Sequence, residues 1–215
     1  MTSPVPLASG RDADVFAIGT GRVLRRYRDG GDVAAEAAVM AYVAGLGYPV
    51  PAVYAAAGPD LVMERLYGPT MIDALVDGSA SIETGAQVLA DLHVRLHALP
   101  ARLSPDPAVR ILHLDLHPGN VMITPRGPVV IDWRNATEGP PALDIAVSAL
   151  ILAEVAVDES DDLADSARAL LTAFLARTGG PPRELLRQAV AIRAADPNLS
   201  TAETGRLGRA AALVR

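Results

Sequence analysis

The run His113-Leu114-Asp115-Leu116-His117-Pro118-Gly119-Asn120-Val121-Met122-Ile123, followed by Val129-Val130-Ile131-Asp132-Trp133, constrains this chain more than any other part of it. Short apolar runs of β type flank a Pro-Gly turn, and three oxygen-bearing side chains sit among them. Asn120 follows Asp115 by five positions, and Asp132 closes the next apolar run. A carboxylate, a carboxamide and a second carboxylate in that order suit phosphoryl transfer. The first can hold an acceptor hydroxyl, and the other two are hard oxygen donors for magnesium. Taken singly, an Asp or Asn in a loop usually does no more than satisfy nearby backbone. The spaced set carries the signal, because Pro118-Gly119 turns the backbone so that Asp115 and Asn120 can face one volume.

Composition narrows the setting. The chain has 215 residues, enough for one large domain or two small lobes sharing a cleft, and half of them are apolar, as in a globular protein. It has no cysteine, which excludes disulfides and thiolate metal sites and fits a reducing compartment, so a cytoplasmic location is expected. The net charge of −6 argues against a nucleic-acid partner. The start, Met1-Thr2-Ser3-Pro4-Val5-Pro6, has neither basic flank nor apolar run, so no signal peptide is expected. The longest apolar stretch, Leu143 to Val157, is broken by Asp144, Ser148 and Glu154 and reads as a buried helix, not a membrane span. All 19 basic residues are arginine, which matters because phosphate sites often use lysine.

Residues 1–66 read as a small β-rich lobe and 67–215 as a larger helical one. Val15-Phe-Ala-Ile18 and Arg22 to Tyr27 are strands joined at Gly19-Thr20-Gly21. Asp32 is a candidate N-cap for a helix over 33–45 ending at Gly45 and Gly47. Pro49 and Pro51 force extended backbone into Val53-Tyr54, and Leu61-Val-Met63 is a further strand. Ser81 caps a helix in which Val88, Leu92, Leu96 and Leu99 recur at helical spacing. β-type runs fall at 109–113, 120–124 and 128–132, with a turn at Thr124-Pro125-Arg126-Gly127. Helices are predicted at about 142–157, 162–178, 183–195 and 200–213.

His113 to Asn120, with Ile131-Asp132-Trp133, resembles the aminoglycoside phosphotransferase and choline kinase-like family, over about residues 7 to 178. The resemblance implies an α+β, bilobal protein kinase-like fold. It also implies that ATP or GTP, with Mg2+, phosphorylates a hydroxyl of a small molecule such as an amino sugar, an amino alcohol or an antibiotic-like compound. Asp115 would then be the catalytic base, and Asn120 and Asp132 the metal ligands. By the same resemblance Asp144 and His113 organise the loop. The chain is short for that family, so either the acceptor pocket is open or a second subunit of a homodimer completes it. A compact protein kinase and a catalytically silent nucleotide-binding module remain the competing readings.

In the β-lobe the position that normally carries lysine falls on Arg25. Strand alternation turns Val23 and Arg25 to one face and Leu24 and Arg26 to the other. Arg25 would contact the nucleotide phosphates and Glu36, on the next helix, would hold it. Ser9-Gly10 lies where a phosphate-covering loop belongs, among acidic residues that Arg11 would need to offset. Glu64 and Leu66 sit where a hinge would offer a carbonyl and an amide to the base. His93 and His97 are one turn apart, but no third metal ligand is placed near them. The acidic run 158–165 reads more readily as a solvated loop and helix start than as a dock for a cationic acceptor. The basic segment 177–215 is either a helical cap on the lower lobe or a partner surface.

Overall fold

The computed structural model describes residues 5–215. Met1 to Pro4, the start of the segment read above for a signal peptide, lie outside the described residues. The first half is built on an antiparallel sheet. Its strands are β1 (Ala8–Ser9), β2 (Ala13–Ala17) and β3 (Arg22–Tyr27), then, after helix α1 (Ala34–Gly45), β4 (Val53–Ala57) and β5 (Asp60–Glu64). The spatial order is β1-β2-β3-β5-β4. The β2–β3 connection turns on Gly19 and Gly21, both at positive φ, as its composition predicts. Alternation along β3 buries Val23, Arg25 and Tyr27 and leaves Arg22 and Arg26 exposed, so Arg25 does share the inner face with Val23.

The start of α1 differs from expectation by one residue. Val33 occupies the N-cap position, and the Asp32 carboxylate accepts from the Ala34 N–H at 2.9 Å from just outside the helix. The predicted strand 128–132 also stops early. In β8 the ladder ends at Val130, because the Ile131 N–H turns aside to the Asn120 carbonyl (3.0 Å) and Asp132 adopts φ +64°.

The second half is mainly helical: α2 (Met71–Val76), α3 (Ile82–His97), α4 (Pro141–Ala156), α5 (Ala164–Thr178), α6 (Arg183–Ala194) and α7 (Thr201–Leu213). Thr70 and Ser200 form capping boxes and Ser81 caps α3, as its sequence predicts. Helix α4 is buried at 12 of its 16 positions, which explains an apolar run with almost no polar face. Helices α5, α6 and α7 pack around it, so the basic C-terminal segment is a helical cap. Two small ribbons are inserted between α3 and α4, β6 (Arg110–Leu112) with β9 (Thr137–Gly139) and β7 (Val121–Thr124) with β8 (Gly127–Val130). Trp133, fully buried, packs edge-on against Tyr48 and His113, joining the two halves behind the ribbons. No helix among the described residues is long and apolar enough to cross a membrane.

His93 shows how α3 and α4 are fastened. Its Nδ1–H donates to the Leu89 carbonyl (2.8 Å) and its Nε2 accepts from the Ser148 hydroxyl (3.0 Å), so the ring is neutral. Burial pushes its pKa down to about 4. The unfolded chain therefore takes up this proton first, and stability present above pH 6.5 drains as the pH falls toward 4. At pH 5 this one ring costs about 2 kcal/mol. Urea denaturation of the native chain should show its midpoint falling between pH 8 and pH 5, and His93→Gln should flatten part of that slope.

Candidate functional site

The loop between β6 and β7 is held from behind by Asp144, in the first turn of α4. Its buried carboxylate accepts from the Leu114 N–H at 2.7 Å, from the His113 N–H at 3.2 Å and from His97 Nε2 at 2.9 Å. Burial alone would raise its pKa, but the His97 hydrogen bond and the surrounding imidazoles hold it at about 2. The anchor matters because Leu114 sits at φ +59°, a conformation costing a side-chain-bearing residue about 1–2 kcal/mol. His113 completes the brace. Its Nδ1 accepts from the Asp115 N–H (3.2 Å), which makes Nε2 the protonated nitrogen that donates to the Ile131 carbonyl (3.1 Å). One neutral imidazole thus ties the Asp115 loop to the segment carrying Asp132. His97 and His93 have protein partners too, and no group of three or more His, Cys, Asp or Glu is arranged for a metal among the described residues.

On this brace the three oxygen-bearing side chains come together. The Asn120 amide donates to both the backbone carbonyl and Oδ2 of Asp115, each at 2.9 Å. Burial first, then the charge of Asp132, push the Asp115 carboxyl up to about 7, against the opposing pull of Arg193 and the Asn120 bond. The Arg25 guanidinium, 7% exposed, reaches from the sheet to both Glu36 and Asp132, at 2.6 Å each. Burial works against its charge, but the carboxylates on either side raise its pKa. Glu36 also accepts from the Trp133 N–H (3.1 Å) and from the Tyr27 hydroxyl.

A cleft of about 1570 Å³ opens between the sheet and the helices. It is lined by Ser9, Gly10, Arg25, Glu64, Leu66, Asp115, Asn120 and Asp132, eight of the nine residues selected from the sequence. Glu36 does not line the cleft and is joined to it by Arg25. The loop after Ser9 is neutralised differently than expected. Asp14 pairs with Arg28 and Asp12 with Arg134, while Arg11 leaves the loop and crosses to the Asn198 carbonyl (3.0 Å) and Glu203 (2.7 Å). The acidic run is engaged as well: Asp158 with Arg206, Glu159 with Arg209, and Asp161 with the Leu163 N–H.

The donor set fits magnesium. With the Asn120 side-chain amide and Asp132 Oδ1 engaged, the Asn120 side-chain Oδ1 and Asp132 Oδ2 have no hydrogen-bond partner among the described residues. Two hard oxygens suffice for an ion that completes its shell with water and phosphate. The sequence reading missed Arg193 and Arg134. Each is an unremarkable arginine in its own segment, and only the packing of α6 and of the loop after Trp133 brings them to the cleft wall.

Comparison with known proteins follows the same lines. Residues 4–110 and 83–186 match the model of the phosphotransferase enzyme family. Among solved structures, a thermostable mutant of the aminoglycoside phosphotransferase APH(4)-Ia, in a ternary complex with AMP-PNP and hygromycin B, superposes with a TM-score of 0.67 at 14% identity, over 98% of this chain and 92% of that one. The gentamicin complex of APH(2")-IIa gives 0.61 at 14% identity, over 96% and 90%. APH(3'')-Id from Streptomyces rimosus gives 0.57 at 19% identity, over 82% and 87%. Among curated proteins none matches. These structures share the bilobal fold that the sequence resemblance implied.

Removing the Asp144 carboxylate would leave two buried N–H groups and His97 without an acceptor. Asp144→Ala should cost about 3–5 kcal/mol in chemical denaturation. Asp144→Asn, which keeps one acceptor oxygen, should lose less.

Proposed function

The chain belongs to the phosphotransferase enzyme family, and on that premise we propose that it moves the γ-phosphoryl group of ATP or GTP to a hydroxyl of a small molecule. Amino sugars, amino alcohols and antibiotic-like compounds are the candidate acceptors. The observation that carries the reading is the convergence of Asp115, Asn120, Asp132 and Arg25 on one cleft. In this reading residues 1–66 hold the nucleotide and 67–215 supply the catalytic loop and the acceptor site. Dependence on a nucleoside triphosphate makes the cytoplasm the expected compartment.

Each residue then has a task. The Asp115 carboxylate accepts the hydrogen bond of the acceptor hydroxyl and takes its proton as the oxygen attacks phosphorus and the bond to the leaving diphosphate breaks. Asn120 orients that carboxylate through its amide and, with Asp132, offers oxygen to Mg2+. The ion, when bound, neutralises charge on the phosphate oxygens. Arg25 spends one N–H on Glu36 and one on Asp132, leaving part of its five-donor fork for the α- and β-phosphates. The Glu64 carbonyl and Leu66 amide would meet the edge of the base, with the Ser9-Gly10 loop over the phosphates.

Asp115→Asn should lower kcat by roughly 10²–10⁴-fold while nucleotide with Mg2+ still raises Tm. The acid limb of kcat/KM should report a group that must lose its proton, with an apparent pKa no higher than the value of about 7 of the free protein. Arg25→Ala should raise the nucleotide KM sharply. Unchanged turnover in Asp115→Asn would overturn the assignment of the base, and stabilisation by nucleotide without any transfer would favour a silent binding module.

A further inference from the structure

Past Asp115 the cleft is walled by the end of α4, by α6 and α7, and by the segments joining them, and this wall carries five carboxylates: Glu154, Asp158, Asp161, Asp196 and Glu203. An acidic wall ordinarily invites a polycation. Here four of the five are already held by arginine. Arg193 takes both oxygens of Glu154 (3.0 and 2.9 Å) and Oδ2 of Asp196 (3.2 Å). Arg206 takes Asp158 at 2.7 Å and Arg11 takes Glu203 at 2.7 Å. The remaining oxygens of three of these acids are used locally: Asp158 Oδ1 by Ser160, Asp196 Oδ1 by the Asn198 N–H, and Glu203 Oε2 by the Ser200 N–H. Asp161, without an arginine, accepts from the Leu163 N–H at 2.8 Å.

An ammonium approaching such a pair meets a guanidinium about as near as the carboxylate, so the three arginines offset three of the five negative charges and leave two, one around Arg193 and one at Asp161. To gain any of the four paired carboxylates it must displace an arginine, at the cost of an unpaired guanidinium on the wall. Ile151, Val155 and Ile192, interspersed among the pairs, add an apolar surface. Building on the phosphotransferase reading above, we infer that Arg11, Arg193 and Arg206 are specificity residues that set the acceptor class. The acceptor is a neutral or singly charged hydroxyl compound with an apolar face, and polycations are rejected.

The test measures binding without nucleotide, so that it does not depend on transfer. Calorimetric titration of the whole chain with kanamycin at low salt should give a Kd in the millimolar range or weaker. Arg206→Gln, which frees Asp158, should tighten it at least about tenfold, with the gain shrinking in high salt as a partly exposed electrostatic effect does. Arg11→Gln repeats the experiment at Glu203 and does not depend on the Arg206 variant folding, since the Arg11 side chain is 60% exposed. Micromolar binding of kanamycin by the native chain, or an unchanged Kd in the folded variants, would overturn the inference. Failure of nucleotide with Mg2+ to raise Tm would instead count against the phosphotransferase reading alone.

Discussion

The structure depends on one buried cation. Arg25 lies at the back of the cleft between Glu36 and Asp132, and these three side chains come from a strand, a helix and the segment after β8 in the opposite half. A guanidinium taken out of water costs several kcal/mol, a cost offset only where its partners are well placed. That requirement fixes α1 against β3, because Glu36 must face Arg25. It also fixes the segment after β8, because Asp132 must turn through a left-handed conformation to meet the second N–H. Glu36 extends the arrangement to the Trp133 backbone and to Tyr27, so ordering one charge orders both walls of the cleft.

Asp144 plays the corresponding part behind Asp115. It holds Leu114 in a strained conformation by direct hydrogen bonds, and its own partner His97 is delivered by α3. The two anchors differ in kind. Asp144 is sealed in the helical half, whereas Arg25 and Asp132 line the cleft. His113 links them, bonding one loop through each ring nitrogen.

The contacts that cross the mouth of the cleft are of another order. Arg134 with Asp12 and Asp29, and Arg11 with Glu203, are partly exposed pairs, each worth about 0–1 kcal/mol. They can break and reform while the buried ion pairs stay intact. Weak surface pairs over a buried, ion-paired floor are compatible with the two-substrate transfer proposed above.

Much of this was legible beforehand. The spacing of Asp115, Asn120 and Asp132 singled out three side chains that do line one cleft, because the loop that joins them is local and its turn residues leave little choice. The helices of the second half followed from apolar periodicity and from capping residues such as Ser81. The alternation of β3 put Arg25 on the inner face. What the residues alone could not supply was the pairing of charges distant in the chain. An arginine in α6 reads the same whether it meets Glu154 or solvent, and Arg11 reads as the cation that offsets its own acidic loop until packing carries it to Glu203. Local order follows from short-range sterics and periodicity, which are written residue by residue. The partner of a long charged side chain is chosen only when the helices dock, because Coulomb attraction and desolvation depend on distances that exist nowhere but in the assembled fold.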